Sequence, residues 1–286
     1  TKALDEPGRQ AGLTPAGSLT VAQTAALGVV AVVNAHMERA VRVISVERGH
    51  DPTDFVFLSF GGAGGLHACD LARGLGMDRV LAPYGASTLS AFGMLVADVV
   101  KDYVRTVMLP GDTAADDLAE MSAPLVERGA AETVAEGVSE TQVTVHRELD
   151  MRYRGQSYEL TVPLTDDYAA AFHQAHAERY GHSDAGTPVE IVNLRVRAVG
   201  RTPTPALPVM ESAPEDAADT KRERRDVVLS GGSVEAVFYD GETLQPGARV
   251  EGPAVIMQRD TTILLGDGDR ATVDTRRNIV VELKTL

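Results

Sequence analysis

Tryptophan is absent from the 286 residues, and the other aromatics amount to seven Tyr and six Phe. The core must therefore be built from Val, Leu, Ala and Ile, which keep the hydrophobic content at 44%. That is an ordinary globular fraction, and the length suits one large domain or two. Cysteine is nearly missing. Cys69 stands alone, so an internal disulfide and a thiolate zinc cluster are both impossible, which suits a reducing, cytoplasmic setting. A lone cysteine can be a nucleophile, but its type is among the most buried, which favours a small apolar core residue. Positive charge is short as well: 27 Lys and Arg face 41 Asp and Glu, a net charge of −14. Nucleic-acid binding needs a basic face, so no nucleic-acid partner is expected. Long apolar runs are also lacking. The richest stretch, 21–37, is broken by Gln23, Asn34 and His36, so no membrane span is expected. The N-terminus has no basic region followed by an apolar one, hence no signal-peptide pattern, and no Met; the chain reads as beginning inside something longer.

What is present starts with Thr20-Val-Ala-Gln23, the pattern of a helix capping box. Apolar residues then recur in steps of three and four from Ala22 to Ile44, predicting one long helix that stops at Gly49 with Pro52 just beyond. Phe55–Phe60 reads as a short buried strand. FGGAGGLH (60–67) follows, then a helix to about Gly74 and a strand at Arg79–Ala82. Strand, glycine turn, helix and strand make a βαβ unit, which predicts a parallel pair. Helices are expected over 88–99 and 113–136, and a strand over 103–109. Beyond Gln142 come strands at 143–151, 158–163 and 189–199, with a helix over 168–180. Residues 202–219 are rich in Pro, Ala and acid and read as a linker. From Asp226 the pattern is short strands with Gly and Pro turns, a smaller β-rich module. The fold class expected is α/β, with segments 1–140, 141–200, 201–225 and 226–286.

The glycine turn is the strongest site signal. A Gly-rich strand-to-helix turn lets backbone N–H groups approach an anion or a ring, and the helix N-terminus adds partial positive charge. Gly61, Gly62, Gly64 and Gly65, with Ala63 between, fit neither G-x-G-x-x-G nor a Walker A loop. The bland alternative is a tight turn with no ligand. His67 and Asp70 follow three residues apart and could share a face. His67 could donate a proton, bind a phosphate or orient a substrate, or simply complete the turn's hydrogen bonds. His173, His176 and His182 read as surface histidines rather than a zinc site, because no further ligand stands in register. Arg152-Tyr-Arg154-Gly-Gln156 could clamp a carboxylate or phosphate, or form a polar hairpin turn. Glu38, Arg39 and Arg42 could line a cleft or pair on a solvated helix face.

Taken together, MERAVR (37–42), SVERGHDP (45–52), FGGAG (60–64) with LHA (66–68), SAFG (90–93), DMRYRGQSYEL (150–160), VEIVNLR (189–195) and GPA (252–254) resemble the hydantoinase A/5-oxoprolinase family, which includes subunits of acetone-type ketone carboxylases. The matches are in family order and run from about residue 20 to the C-terminus. The resemblance implies an actin-like ATPase (sugar-kinase/Hsp70-type) lobe over 1–140, with Gly61–Gly65 contacting the nucleotide and His67 and Asp70 as catalytic candidates. Arg42, Arg152 and Arg154 become candidate substrate or anion contacts, and no metal ligand is assigned to this chain. The cofactors implied are ATP and Mg²⁺. The family pattern has Pro where this chain has Gly65, which predicts a more flexible turn. The Asp-x-Gly-Gly-Thr phosphate loop of such ATPases is missing from the sequence. The resemblance therefore implies the C-terminal half only, a partner chain carrying the phosphate-loop lobe, and a B-type subunit. The activity implied is ATP-dependent hydrolysis of a cyclic amide such as a hydantoin or 5-oxoproline, by phosphorylation of the amide oxygen. The alternatives are an ATP-dependent ketone carboxylase subunit and a non-catalytic scaffold.

Overall fold

The computed structural model describes residues 2–212 and 220–284. In chain order the elements are α1 (Lys2–Gln10), α2 (Val21–Ile44), β1 (Phe57–Leu58), α3 (Gly64–Gly74), β2 (Arg79–Ala82), α4 (Leu89–Val96), β3 (Val99–Pro110), α5 (Ala115–Ala135), β4 (Val143–Tyr153), β5 (Leu160–Pro163), α6 (Tyr168–Tyr180) and β6 (Val189–Gly200). Then come β7 (Lys221–Leu229), β8 (Gly232–Asp240), β9 (Arg249–Glu251), β10 (Ala254–Met257), β11 (Thr262–Leu265), β12 (Arg270–Val273) and β13 (Ile279–Glu282). They form two compact units, one from residues up to 93 and from 206 onward, the other from 94–205. The expected α/β class is the one observed. The expected boundary at 140 does not coincide with either unit edge. Of the expected linker, 213–219 lies outside the described residues, and 221–225 already belong to β7. No helix among the described residues is long and apolar enough to cross a membrane.

In the first unit α2 starts on the predicted capping box. The Gln23 N–H donates to Thr20 Oγ1, and the Thr20 N–H donates to Gln23 Oε1 at 2.8 Å. The helix ends at Ile44, and a short 3₁₀ turn carries the chain to Gly49, whose φ of +83° only glycine adopts cheaply. β1 and β2 pair in parallel, joined by α3, as the βαβ reading requires. The sheet then continues in a way the local pattern did not reveal. Its order is β1-β2-β13-β12-β9, and β13 lies antiparallel to β2. Strands from the β-rich end thus complete the sheet begun by the glycine-turn segment. A second sheet, β11-β10-β8-β7, packs on α3 through β11. The core between is almost wholly aliphatic: Ala68, Ala72, Leu75, Val80, Ile256, Ile263, Leu265 and Val281 are all nearly or fully buried.

The buried strand expected at 55–60 is corrected. Only Phe57 and Leu58 pair, and Phe55, Val56, Leu58 and Phe60 are 44–51% exposed. The reason is position: β1 is the outermost strand of its sheet, so one flank has no strand neighbour among the described residues.

The second unit is a four-stranded antiparallel sheet, β3-β6-β4-β5, covered on one face by α5 and α6. Leu149, Met151, Tyr153, Ile191 and Leu194 alternate toward Leu118 and Phe172.

Candidate functional site

Two loops meet at the carboxyl ends of the parallel pair, which is where open α/β sheets place ligands. The first is 59–63, after β1. The Gly61 N–H donates to Ala86 O at 2.8 Å, and its φ is +89°. The second is 83–88, after β2, turning at Gly85 with φ +76°. Asp260, from the loop between β10 and β11, fastens it by accepting from Ser87 N–H and Oγ at 3.0 and 3.1 Å.

The glycines divide by what they do. Gly61 supplies a left-handed backbone conformation. Gly65 supplies close approach: a Cβ there would stand 2.5 Å from Thr262 O on β11 and 3.1 Å from Ile263 Cγ1. The flexible turn expected from Gly65 is therefore not found. Gly65 is buried inside α3 and wedged on β11. Packing does not demand Gly62 or Gly64 so strictly. A Cβ at Gly62 would be in ordinary contact, 3.6 Å from Asp260 O, and at Gly64 its nearest neighbour would be Ser59 Oγ at 3.1 Å. Gly62 and Ala63 are exposed, and no side chain caps the first N–H groups of α3. Ser59 is 4% exposed, and among the described residues its hydroxyl has no hydrogen-bond partner. An uncapped helix start and an unused hydroxyl thus share one open corner.

His67, in the next turn of α3, is half-buried, and its Nδ1 lies 2.7 Å from Asn34 Oδ1 on α2. No hydrogen bond joins it to Asp70. Asp70 is exposed and accepts instead from Arg73 at 3.2 Å. Arg42 is occupied by Glu38, at 2.7 Å, and donates to Gly74 O at 2.9 Å. That places it at the C-terminal end of the 11-residue α3, about 15 Å along the helix from the glycine turn. There it satisfies a helix-end carbonyl and complements the dipole. Arg152 and Arg154 belong to the second unit. Arg152 is held by Glu190 at 2.5 Å, while Arg154 uses its backbone N–H on Pro188 O.

The surface reading of the three histidines holds for the exposed His182 and is corrected for His176 on α6. His176 is 3% exposed, sits against Tyr153 and Phe172, and its Nδ1 lies 2.7 Å from His182 O. His173 Nδ1 meets the Tyr153 hydroxyl at 2.7 Å. With no tryptophan and few phenylalanines, imidazole rings serve here as aromatic core. Cys69 is buried on the inner face of α3. Burial pushes its thiol up to about 12, and the Asp269 carboxylate adds to the rise. The thiolate is the reactive form, so Cys69 should resist alkylation by iodoacetamide at pH 8 in the native chain and react fully in denaturant. Rapid native labelling would overturn its placement in the core.

Asn34, Ser59 and Asp260 were not anticipated as site residues. Asn34 and Ser59 did leave a signal, each being a polar break in an apolar run. Asp260 left none.

Comparison with known proteins decides the family. Residues 3–103 match the family model described as hydantoinase/oxoprolinase, and residues 111–285 match that of the hydantoinase/oxoprolinase C-terminal domain. The chain belongs to the hydantoinase/oxoprolinase family. Among its relatives, caprolactamase subunit alpha from Pseudomonas jessenii is 30% identical over 267 residues, which cover 88% of this chain and 38% of that protein. 5-Oxoprolinase 1 from Arabidopsis thaliana is 29% identical, over 91% of this chain and 21% of its own length. A nucleotide-free structure of acetone carboxylase superposes with a TM-score of 0.75 at 26% identity, covering 92% of this chain and 40% of the other. The α/β fold is thus shared with acetone carboxylase. The chain spans well under half the length of each relative.

Proposed function

We propose that this chain is the adenosine-side part of an ATP-dependent hydrolase of cyclic amides, working with partner chains. The observation that carries the reading is the open corner at Gly62–Gly64. Helix N–H groups stand uncapped beside the Ser59 hydroxyl, and Gly62 leaves room where a side chain would otherwise fill. That cradle fits a nucleotide, with Gly62, Ala63 and Gly64 holding it through backbone, Ser59 offering a hydroxyl, and Gly61, whose N–H is taken by Ala86 O, shaping the loop. Gly65 acts by seating the helix. ATP, when bound, would supply the phosphoryl group that, placed on the amide oxygen, makes the ring carbon electrophilic enough for water to attack and the C–N bond to open. The Asp260 carboxylate beside the corner is taken up by Ser87 N–H and Oγ, so the oxygen ligands Mg²⁺ needs, like the phosphate loop, are assigned to the partner. The relatives named caprolactamase and 5-oxoprolinase point to a lactam or related cyclic amide as substrate. The superposition on acetone carboxylase favours, as second reading, a ketone carboxylase subunit.

The exposed surface of the first unit supports the need for a partner. Val29, Val30, Val32, Val33, Val43 and Ile44 of α2 are 38–60% exposed. A helix apolar on all sides is normally buried on all sides. The edge of β1, without a strand neighbour among the described residues, adds to the same surface.

The chain alone should bind ATP yet show no Mg²⁺-dependent turnover. Adding a polypeptide equivalent to the remaining part of the caprolactamase subunit should restore hydrolysis that responds to caprolactam or 5-oxoproline. Robust turnover by this chain alone defeats the split, and a response only to acetone with bicarbonate would select the carboxylase reading.

A further inference from the structure

We infer that Asn34 is a positioning residue that fixes which nitrogen of His67 carries the hydrogen, and so presents Nε2 as a hydrogen-bond acceptor at the start of α3. The inference rests on the reading of that corner as the ligand site.

Asn34 sits in the middle of α2, between Val33 and Ala35. An asparagine inside a helix costs about 0.5 kcal/mol relative to alanine, because its side chain competes for backbone hydrogen bonds. Here the side chain reaches across to another helix, 33 residues away in sequence, at 2.7 Å. An amide oxygen only accepts, so the hydrogen between Asn34 Oδ1 and His67 Nδ1 belongs to the imidazole. A neutral imidazole has one N–H. With it on Nδ1, Nε2 keeps its lone pair, and among the described residues Nε2 has no partner. A ligand group that reached it would therefore have to be an O–H or N–H donor, not a phosphate oxygen. This separates His67 from the uncapped N–H groups of α3, which take the acceptor side of the same ligand. The opposite amide orientation would reverse everything: Asn34 Nδ2 would donate to Nδ1, and Nε2 would become a donor suited to phosphate.

The test is the tautomer itself, read by multiple-bond ¹⁵N–¹H NMR on the ¹⁵N-histidine-labelled chain at pH 8, with His67 assigned through His67→Gln. The expected wild-type spectrum has a protonated Nδ1 and an unprotonated Nε2. Asn34→Asp should preserve that pattern, since a carboxylate oxygen also accepts. Asn34→Ala should move His67 toward the Nε2–H form and weaken ATP binding by about threefold to tenfold, the worth of one hydrogen bond. A hydrogen on Nε2 in the wild-type chain overturns the inference even if the alanine variant fails to fold. An unchanged tautomer in Asn34→Ala does the same. A purely structural role would lower stability without moving the tautomer, and that outcome also overturns it. Failure of the underlying reading looks different: the tautomer follows Asn34, but His67→Gln leaves ATP affinity unchanged.

Discussion

Asp269→Ala should lower the unfolding free energy of the chain by about 3–5 kcal/mol, the cost of removing one partner from a buried ion pair. Asp269 is fully buried, and its two oxygens collect four contacts. Arg73 donates to both at 2.6 and 2.7 Å, the Gly266 N–H donates at 2.7 Å and the Lys284 N–H at 3.1 Å. These join α3, the turn before β12 and the end of β13. Truncation leaves two backbone N–H groups unpaired and a part-buried guanidinium with only the exposed Asp70 to pair with. Burial alone works to lower the Arg73 pKa, and the Asp269 hydrogen bonds and charge outweigh it, holding the group above its ordinary value. That support is lost with Asp269, but a guanidinium ordinarily titrates far above neutral pH, so Arg73 stays charged in the variant and cannot relieve the loss by deprotonating. Urea unfolding should show the shift as a lower midpoint at unchanged slope. A change under 1 kcal/mol would mean that the carboxylate does not clamp these three elements. Arg73→Leu should be costly as well, because it strands the fully buried Asp269 carboxylate with only its two backbone donors.

That clamp also explains what the sequence could and could not disclose. Periodicity is local, so α2, α5, α6 and the strand at 189–200 were legible from apolar spacing, and the Thr20–Gln23 cap from its own residues. The parallel pairing of β1 and β2 followed from the short crossover through α3. Partners distant in sequence left no such mark. Nothing near Arg79–Ala82 announces that β13, some 200 residues on, lies beside it. Likewise Asp269 reads as one acid in a Gly-rich turn until Arg73 is seen against it. In the candidate site, the glycine cluster was visible but its division of labour was not. Whether a glycine serves φ, close approach or open space depends on Ala86, Thr262 and Asp260, which are contributed by other loops. Arg42 failed as a contact of the turn for the same reason: its place is set by the packing of α2 on the C-terminal end of α3, not by its spacing along α2.

Gly62→Val and Gly65→Val should fail in opposite ways. At Gly65 an added Cβ meets backbone, Thr262 O at 2.5 Å, so neither a rotamer change nor a small side-chain shift relieves it. The helix must move off β11, opening the aliphatic core around Ala68 and Ile263. Overpacking of this kind costs about 1–3 kcal/mol, and a β-branched side chain adds to it. Gly65→Val should therefore lower the thermal midpoint by several degrees, and any loss of ATP binding should scale with the unfolded fraction. At Gly62 the residue is exposed, its φ is not in the left-handed region, and a Cβ makes one ordinary contact at 3.6 Å. Stability should stay within about 0.5 kcal/mol of the parent. ATP affinity should nonetheless fall at least about tenfold, because an isopropyl group then fills the corner and desolvates the helix N–H groups without replacing the ligand's acceptor. Calorimetric titration with ATP beside a melting curve separates the two variants. If Gly62→Val binds ATP as tightly as the parent, the turn is a packing device throughout, and Gly62 stands where it does only because nothing there required a side chain.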